Sequence, residues 1–227
     1  MLSIENRGRT AAICLWLVIC ASAISFVTEF SLQDYIIETY STPGYDEGEF
    51  TNNDLLLILV SLGWVIAFLL SGITFLMWFY RARCNLERAK LTGFKYTSKW
   101  SILGFFVPIL NILRPFQIMQ EVWSGSKFLT KSTNVASWQK VHPGTVVKLW
   151  WGMTLFSASI DRVASYLWEH SETVAALQST VYVSMIADVV NIIAAYITIK
   201  LIKEITELQE QARMKTPEIS IPASIGV

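Results

Sequence analysis

The stretch DLLLILVSLGWVIAFLLSGITFLMWFY (54–80) decides the class of this fold. After Asp54 no charged residue interrupts it, and at ~1.5 Å per residue it is long enough to cross a ~30 Å hydrocarbon core with some tilt. The rest of the chain agrees. Of 227 residues 53% are hydrophobic and nine are Trp, and the mean hydropathy is +0.44. Such a composition does not suit a soluble globule and places the chain in a membrane class. Gly63, Ala67 and Ser71 fall at i, i+4 and i+8 in this span, a ridge of small residues that lets another helix approach closely.

Toward the N-terminus lies a second apolar run, AAICLWLVICASAISFVTEF (11–30), preceded by Arg7 and Arg9. Ala21-Ser22-Ala23 resembles a signal-peptidase site. The apolar run continues past it to Phe30, so a retained transmembrane helix is expected. Residues 31–53 carry Asp34, Glu38, Asp46, Glu47 and Glu49 without any Lys or Arg, and STPGYDEGE (41–49) has the Pro, Gly and acids of an exposed loop.

On the other side of the 54–80 span the sign reverses. Arg81, Arg83, Arg88, Lys90, Lys95 and Lys99 stand against Glu87 alone, which makes this side cytoplasmic by the positive-inside rule. A third span is expected over about 145–168 and a fourth over about 176–199, joined by a short turn with Glu169 and Glu172. With both termini inside, 17 of the 18 Lys and Arg residues fall on or near the cytoplasmic side, Arg162 being the exception, and nine of the 18 acids fall outside.

The expected fold is therefore all-α and integral to the membrane, with four transmembrane helices, N-in and C-in. A cytoplasmic N-terminus (1–10) leads into a membrane domain (11–203) containing a cytoplasmic interfacial region (81–144). A charged helix and tail (204–227) follow. The last dozen residues, with Pro217 and Pro222, are expected to be disordered.

The interfacial region carries unusual detail. SILGFFVPILNIL (101–113) is apolar but spans only ~20 Å as a helix, too short to cross. Gly104 and Pro108 break it, so it lies in the interface or dips in and returns, with Asn111 available to satisfy irregular backbone. Pro115 suits the first turn of a new helix. Phe116, Met119 and Trp123 then share one face and Gln117, Glu121 and Ser124 another, the pattern of an in-plane amphipathic helix with its Trp at headgroup level. Arg81, Asn85 and Arg88 sit at i, i+4 and i+7, one polar face suited to lipid phosphate or to a partner's carboxylates. Ordinary positive-inside charge explains it equally.

Trp78-Phe79-Tyr80-Arg81-Ala82-Arg83 with Asn85-Leu86, then Trp100, Pro108, Asn111, Arg114-Pro115-Phe116-Gln117, Glu121-Val122-Trp123, Ser126 and Trp150-Trp151, resemble the bacterial membrane domain catalogued as domain-of-unknown-function family 4328. The resemblance covers about residues 55–200 and rests on the R-x-x-x-N-L and P-x-x-N-x-x-R-P spacings recurring in order. The chain differs where the family often has a Trp-rich W-x-x-G-W-W-F-x-P run and this sequence reads WSILGFFVP. The resemblance implies a multi-span inner-membrane protein and supplies no activity.

Polar residues recur inside the last two spans. Thr154, Ser157, Asp161 and Ser165 form one stripe at helical spacing, and Thr180, Ser184, Asp188 and Asn191 form another, with Thr198 beyond. A charge facing lipid at mid-bilayer costs ~2.5–3.5 kcal/mol even on lenient scales, so these stripes should face protein or water. Interhelical hydrogen bonding is the plainer reading and a hydrated path for ions the sharper one, with the acidic outer loop concentrating cations at its mouth. Counted from the turn, Arg162 and Asp188 come within reach of each other, and an Arg162–Asp188 pair is expected; the alternative is an Arg162 that snorkels outward.

The chain contains no G-x-x-x-x-G-K-[ST], no G-x-G-x-x-G and no H-E-x-x-H. His142 and His170 fall on opposite sides of the expected membrane. Cys14, Cys20 and Cys84 form neither a C-x-x-C pair nor a disulfide framework. The expectation is a protein without catalytic residues, metal or cofactor, and without a basic domain for nucleic acid. It acts through homo-oligomeric assembly as a sensor, scaffold or partner-binding subunit, with the lipid bilayer and a cytoplasmic protein on the basic face as partners. The alternative is an oligomeric channel, transporter or membrane-acting defence effector lined by the polar stripes.

Overall fold

The computed structural model describes residues 1–41, 51–108, 110–130, 138–142, 144–171 and 173–215. Among these residues the chain is helical, with no strand. The helices are α1 (Glu5–Ser41), α2 (Asn52–Arg88), α3 (Trp100–Phe106), α4 (Arg114–Thr130), α5 (Thr145–His170) and α6 (Val174–Lys215), with a 3-10 turn at Trp138–Lys140. Helices α1, α2 and α6 are long and apolar enough to cross a membrane. At 26 residues α5 has the length, but Asp161 and Arg162 interrupt it and it does not join that set. The expected acidic loop tip at 42–50 and the tail at 216–227 lie outside the described residues.

The long helices run well beyond the apolar runs, because their polar extensions also pack on protein. At the start of α2 Thr51 forms a capping box: its hydroxyl accepts from the Asp54 amide (3.2 Å) and its own amide donates to Asp54 Oδ2 (2.9 Å). The Tyr35 hydroxyl of α1 donates to Asp54 Oδ1 (3.1 Å), which ties the two helices together at the acidic end. At the basic end the α6 extension is not a free charged helix. Ile205, Gln209 and Ala212 are buried there.

The four long helices form an arc, α2–α1–α6–α5: α1 packs on α2 and α6, and α6 on α5, while the backbones of α2 and α5 stay apart among the described residues. The arc is filled at its basic end by α3 and α4. Phe105 of α3 meets Phe75 edge-on (6.1 Å) and Phe79 likewise (6.3 Å), and Trp150 of α5 lies 5.9 Å from Phe75. The Trp151 indole donates to the Ile112 carbonyl (2.9 Å), so the irregular segment after α3 is held by α5. The basic half is thus closed by aromatic packing, and the acidic half stays open between α2 and α5.

Two expectations about this region change. Helix α4 is amphipathic as expected, but its apolar face is covered by α6 and the neighbouring helices, with Ile118, Met119 and Val122 fully buried. Trp123 therefore does not sit among headgroups: it is 2% exposed and its indole donates to Glu204 Oε1 (3.0 Å). The face predicted from Arg81, Asn85 and Arg88 also divides. Asn85 is fully buried; its Oδ1 accepts from the Leu2 amide (3.1 Å), and its Nδ2 donates to the Leu2 carbonyl (2.7 Å) and to Gln209 Oε1 (3.1 Å). It joins the N-terminal segment, α2 and α6, which is a structural use for an amide rather than a ligand contact.

Candidate functional site in the open half of the bundle

The two polar stripes face each other across α5 and α6. Asn191 bridges them: its Nδ2 donates to Asp161 Oδ1 (3.0 Å) and its Oδ1 accepts from Ser157. The Trp168 indole donates to the Ser184 hydroxyl (3.1 Å), and the Ser171 and Thr180 hydroxyls share a hydrogen bond (2.7 Å). Thr154, Ser165 and Thr198 instead return a bond to a carbonyl one turn back on their own helix, which satisfies a hydroxyl in an apolar medium without a partner helix.

Asp188 does not pair with Arg162. Arg162 is exposed, while the ion pairs among the described residues involve only Arg83 and Arg213. Asp188 turns instead to α1, where it lies against the Ser22 and Ser25 hydroxyls and within electrostatic reach of Glu29. The residues on α6 that face α5 and those that face α1 are set by its 3.6-residue period, and Asp188 falls on the α1 side of Asn191.

These groups line a cavity of about 330 Å³ in the open half of the arc, walled by all four long helices. It holds three carboxylates, Glu29, Asp161 and Asp188, beside Asn191, Trp64 and Trp168, and no described Lys or Arg lines it. A single water needs only ~15 Å³ of such space, so the cavity is roomy enough for a hydrated ion. Asp188 is 6% exposed, yet its Oδ2 makes no hydrogen bond, and neither does the buried Oε2 of Glu29. Burying an unsatisfied carboxylate oxygen is costly, so such an oxygen in a polar cavity calls for a partner there, a water or an ion. No three described His, Cys, Asp or Glu side chains converge closely enough to hold a metal ion directly.

The α1 wall was not expected from the sequence. Ser22, Ser25 and Glu29 stand at i, i+3 and i+7, a stripe like those on α5 and α6. Glu29 stands at the end of the expected span 11–30, where it counts among the outer acids, and α1 continues past it to Ser41. Trp64, whose indole donates to Ser22 Oγ (2.9 Å), completes the α1–α2 side.

The interfacial residues expected to form a site are dispersed. Trp78 is buried and donates to Thr206 Oγ1 (3.0 Å). Arg114 lies over the Tyr96 and Trp100 rings (4.2 and 4.3 Å) at the start of α4. Pro115 is buried, Asn111 half-buried, and Pro108 and Arg88 exposed. Another residue there is as enclosed as Trp78 and Asn85. Arg83 is fully buried, over the Phe94 ring (3.6 Å), donates to the Tyr96 carbonyl (2.7 Å) and pairs with Glu87 (3.2 Å). Glu121 of α4 lies 3.9 Å away. Burial pushes the Glu121 carboxyl up from its ordinary value of 4.5, with the Lys95 amide and the Arg83 charge pulling the other way.

The family model described as domain of unknown function (DUF4328) matches residues 42–207, which include α2 to α5 and most of α6. No curated protein and no solved structure matches the chain.

Proposed function

The chain belongs to that family, and from this membership together with the cavity we propose a non-enzymatic, four-span protein of the bacterial inner membrane that senses a small monovalent cation or a proton from outside. The single observation that carries the reading is the Asp188 carboxylate: nearly enclosed, with one oxygen unbonded, beside the half-buried Glu29 in a cavity that no described Lys or Arg lines. At an effective dielectric of ~20 a unit cation 4 Å from one carboxylate gains ~4 kcal/mol, and a second carboxylate adds to it. The lack of a converging triad among the described residues favours a partly hydrated monovalent ion or a proton over a chelated divalent ion.

In this reading α5 is the fourth span. It runs beside the membrane-length α6, and Asp161 reaches Asn191 rather than lipid. The excess of Lys and Arg at the end bearing both termini supports a cytoplasmic placement of that end and an extracytoplasmic cavity. The aromatic floor of Phe75, Phe105 and Trp150 separates the cavity from the cytoplasmic end, which supports sensing over open conduction. Assembly is supported by a separate feature. Ser61 and Ser165 are exposed at the gap between α2 and α5, a polar opening at membrane depth that a second copy would cover.

Trp64 and Trp168 line the cavity and report on it. In detergent or nanodiscs, titration with sodium, potassium or acid should give a saturable fluorescence change that Asp188→Asn abolishes, Glu29→Gln weakens at least about fivefold, and Trp64→Phe reduces in amplitude. A response to none of these cations, or one unchanged in Asp188→Asn, rejects the reading. Ion flux through proteoliposomes would favour a channel or transporter instead.

A further inference from the structure

The outer face of the α1–α2 pair carries a second feature, which shares only Trp64 with the lining of the cation cavity. Near the basic end, a cavity of about 160 Å³ is lined by Asn6, Arg7, Thr10, Thr74 and Met77. Farther along the same two helices lies an apolar groove of about 430 Å³, with Gly63 and Ala67 on its α2 wall. Both openings fall on one face. On α1 the lining runs through Arg7, Thr10, Leu17 and Ile24, and on α2 through Met77, Thr74, Leu70 and Gly63, in steps of three, four and seven. From Thr10 to Ile24 this face extends ~21 Å, most of the depth of one bilayer.

The groove grades in polarity along its length. At its basic end stand three guanidinium groups, those of Arg7, Arg81 and Arg88, close enough for Arg81 to feel the other two. None forms an ion pair among the described residues. Arg7 is held in place by a bond from Nη1 to the Met77 carbonyl (3.2 Å), and the buried Nε of Arg81 makes no hydrogen bond. The Thr10 and Thr74 hydroxyls come next. Beyond them the walls are apolar, with rims of Leu17, Ile24, Leu59 and Leu70 about half exposed. A Cβ built on Gly63 meets no atom within 4 Å, so the small-residue ridge leaves a slot here rather than a seat already filled by a helix of this chain.

We propose that this groove binds one anionic phospholipid, with its phosphodiester between Arg7 and Arg81 and an acyl chain over Gly63 and Ala67. Three cations without an ion pair among the described residues at one end and an apolar slot beyond match such a molecule in order. A second copy's helix would meet the apolar part and leave the guanidinium groups without counter-charge. Positive-inside charge alone gives no reason for the slot.

The test uses the full chain, delipidated in detergent and given phosphatidylglycerol or phosphatidylcholine of identical acyl chains, with bound lipid counted by native mass spectrometry. One phosphatidylglycerol per chain is expected, in clear preference over phosphatidylcholine. Arg7→Gln and Arg81→Gln should each lower that preference about fivefold, while Arg81→Lys, which keeps the charge, retains most of it. Gly63→Leu, which fills the slot without touching the charges, should weaken retention of both lipids. Equal binding of the two lipids, or an undiminished preference in the Arg7→Gln/Arg81→Gln double variant, overturns the proposal. So does competition by millimolar inorganic phosphate, which would mark a free-phosphate site. A dimer that Gly63→Leu splits without changing the lipid count overturns it too, in favour of a second copy.

Discussion

At Glu121 a carboxylate of α4 stands between the Lys95 amide, which donates to it at 2.8 Å, and the buried Arg83. Burial is the larger influence, so the folded chain holds a proton there more readily than the unfolded one. The stability this contributes is full below the ordinary carboxylate range and is lost as pH rises through the raised value. Thermal unfolding of the wild type and of Glu121→Gln, compared between about pH 5 and pH 8, should show the wild type losing ground as pH rises. A difference independent of pH, whatever its size, contradicts this account of Glu121. The residue scale is also where sequence reading fell short. Arg83 was one of six basic residues in a charged stretch, and only the fold that brings Phe94, Tyr96 and Glu121 around it distinguishes it from Arg88, which is exposed. Arg162 and Asp188 were at plausible depths to pair. Helix rotation, which sequence spacing along separate helices does not specify, turns one outward and the other to α1.

Among the elements, α4 carries the fit between the interfacial region and the spans. Gly144, just ahead of α5, lies against the Trp123 ring so closely that a Cβ there would come within 2.6 Å of it. The ring is fixed by its bond to Glu204, so it has little freedom to move aside. Gly144→Ala should cost about 1–3 kcal/mol, measured as a lower unfolding midpoint in detergent, and Trp123→Phe in the same background should recover part of it. An unchanged midpoint in Gly144→Ala would mean that α4 and the α5 start are not packed in this way. The amphipathic period of α4 was legible in Phe116, Met119 and Trp123, because a 3.6-residue repeat reports that a face is covered. It does not report by what. Protein and headgroups impose the same pattern, and the choice between them depends on α6 continuing past Lys203, where the apolar run had ended.

For the whole molecule, composition sufficed to place the chain among helical membrane proteins, because a 27-residue apolar run such as 54–80 has few other physical uses. The arc of helices was not legible, since it follows from which faces pack rather than from where helices begin. Its consequence is an asymmetric bundle. α3 and α4 complete one end with aromatic packing, and the other end keeps a carboxylate-lined cavity whose α1 wall, Ser25 and Glu29, lay hidden in a run read for its hydropathy and its likeness to a signal peptide. Such a cavity responds to cations from one side of the membrane only. In right-side-out proteoliposomes made with a cation-free lumen, sodium, potassium or acid added outside should give the full saturable change in tryptophan fluorescence. The same cation confined to the lumen should give none, and Asp188→Asn should be silent from both sides. An equal response from the lumen, or a response that survives in Asp188→Asn, contradicts an outward-opening cavity built on Asp188.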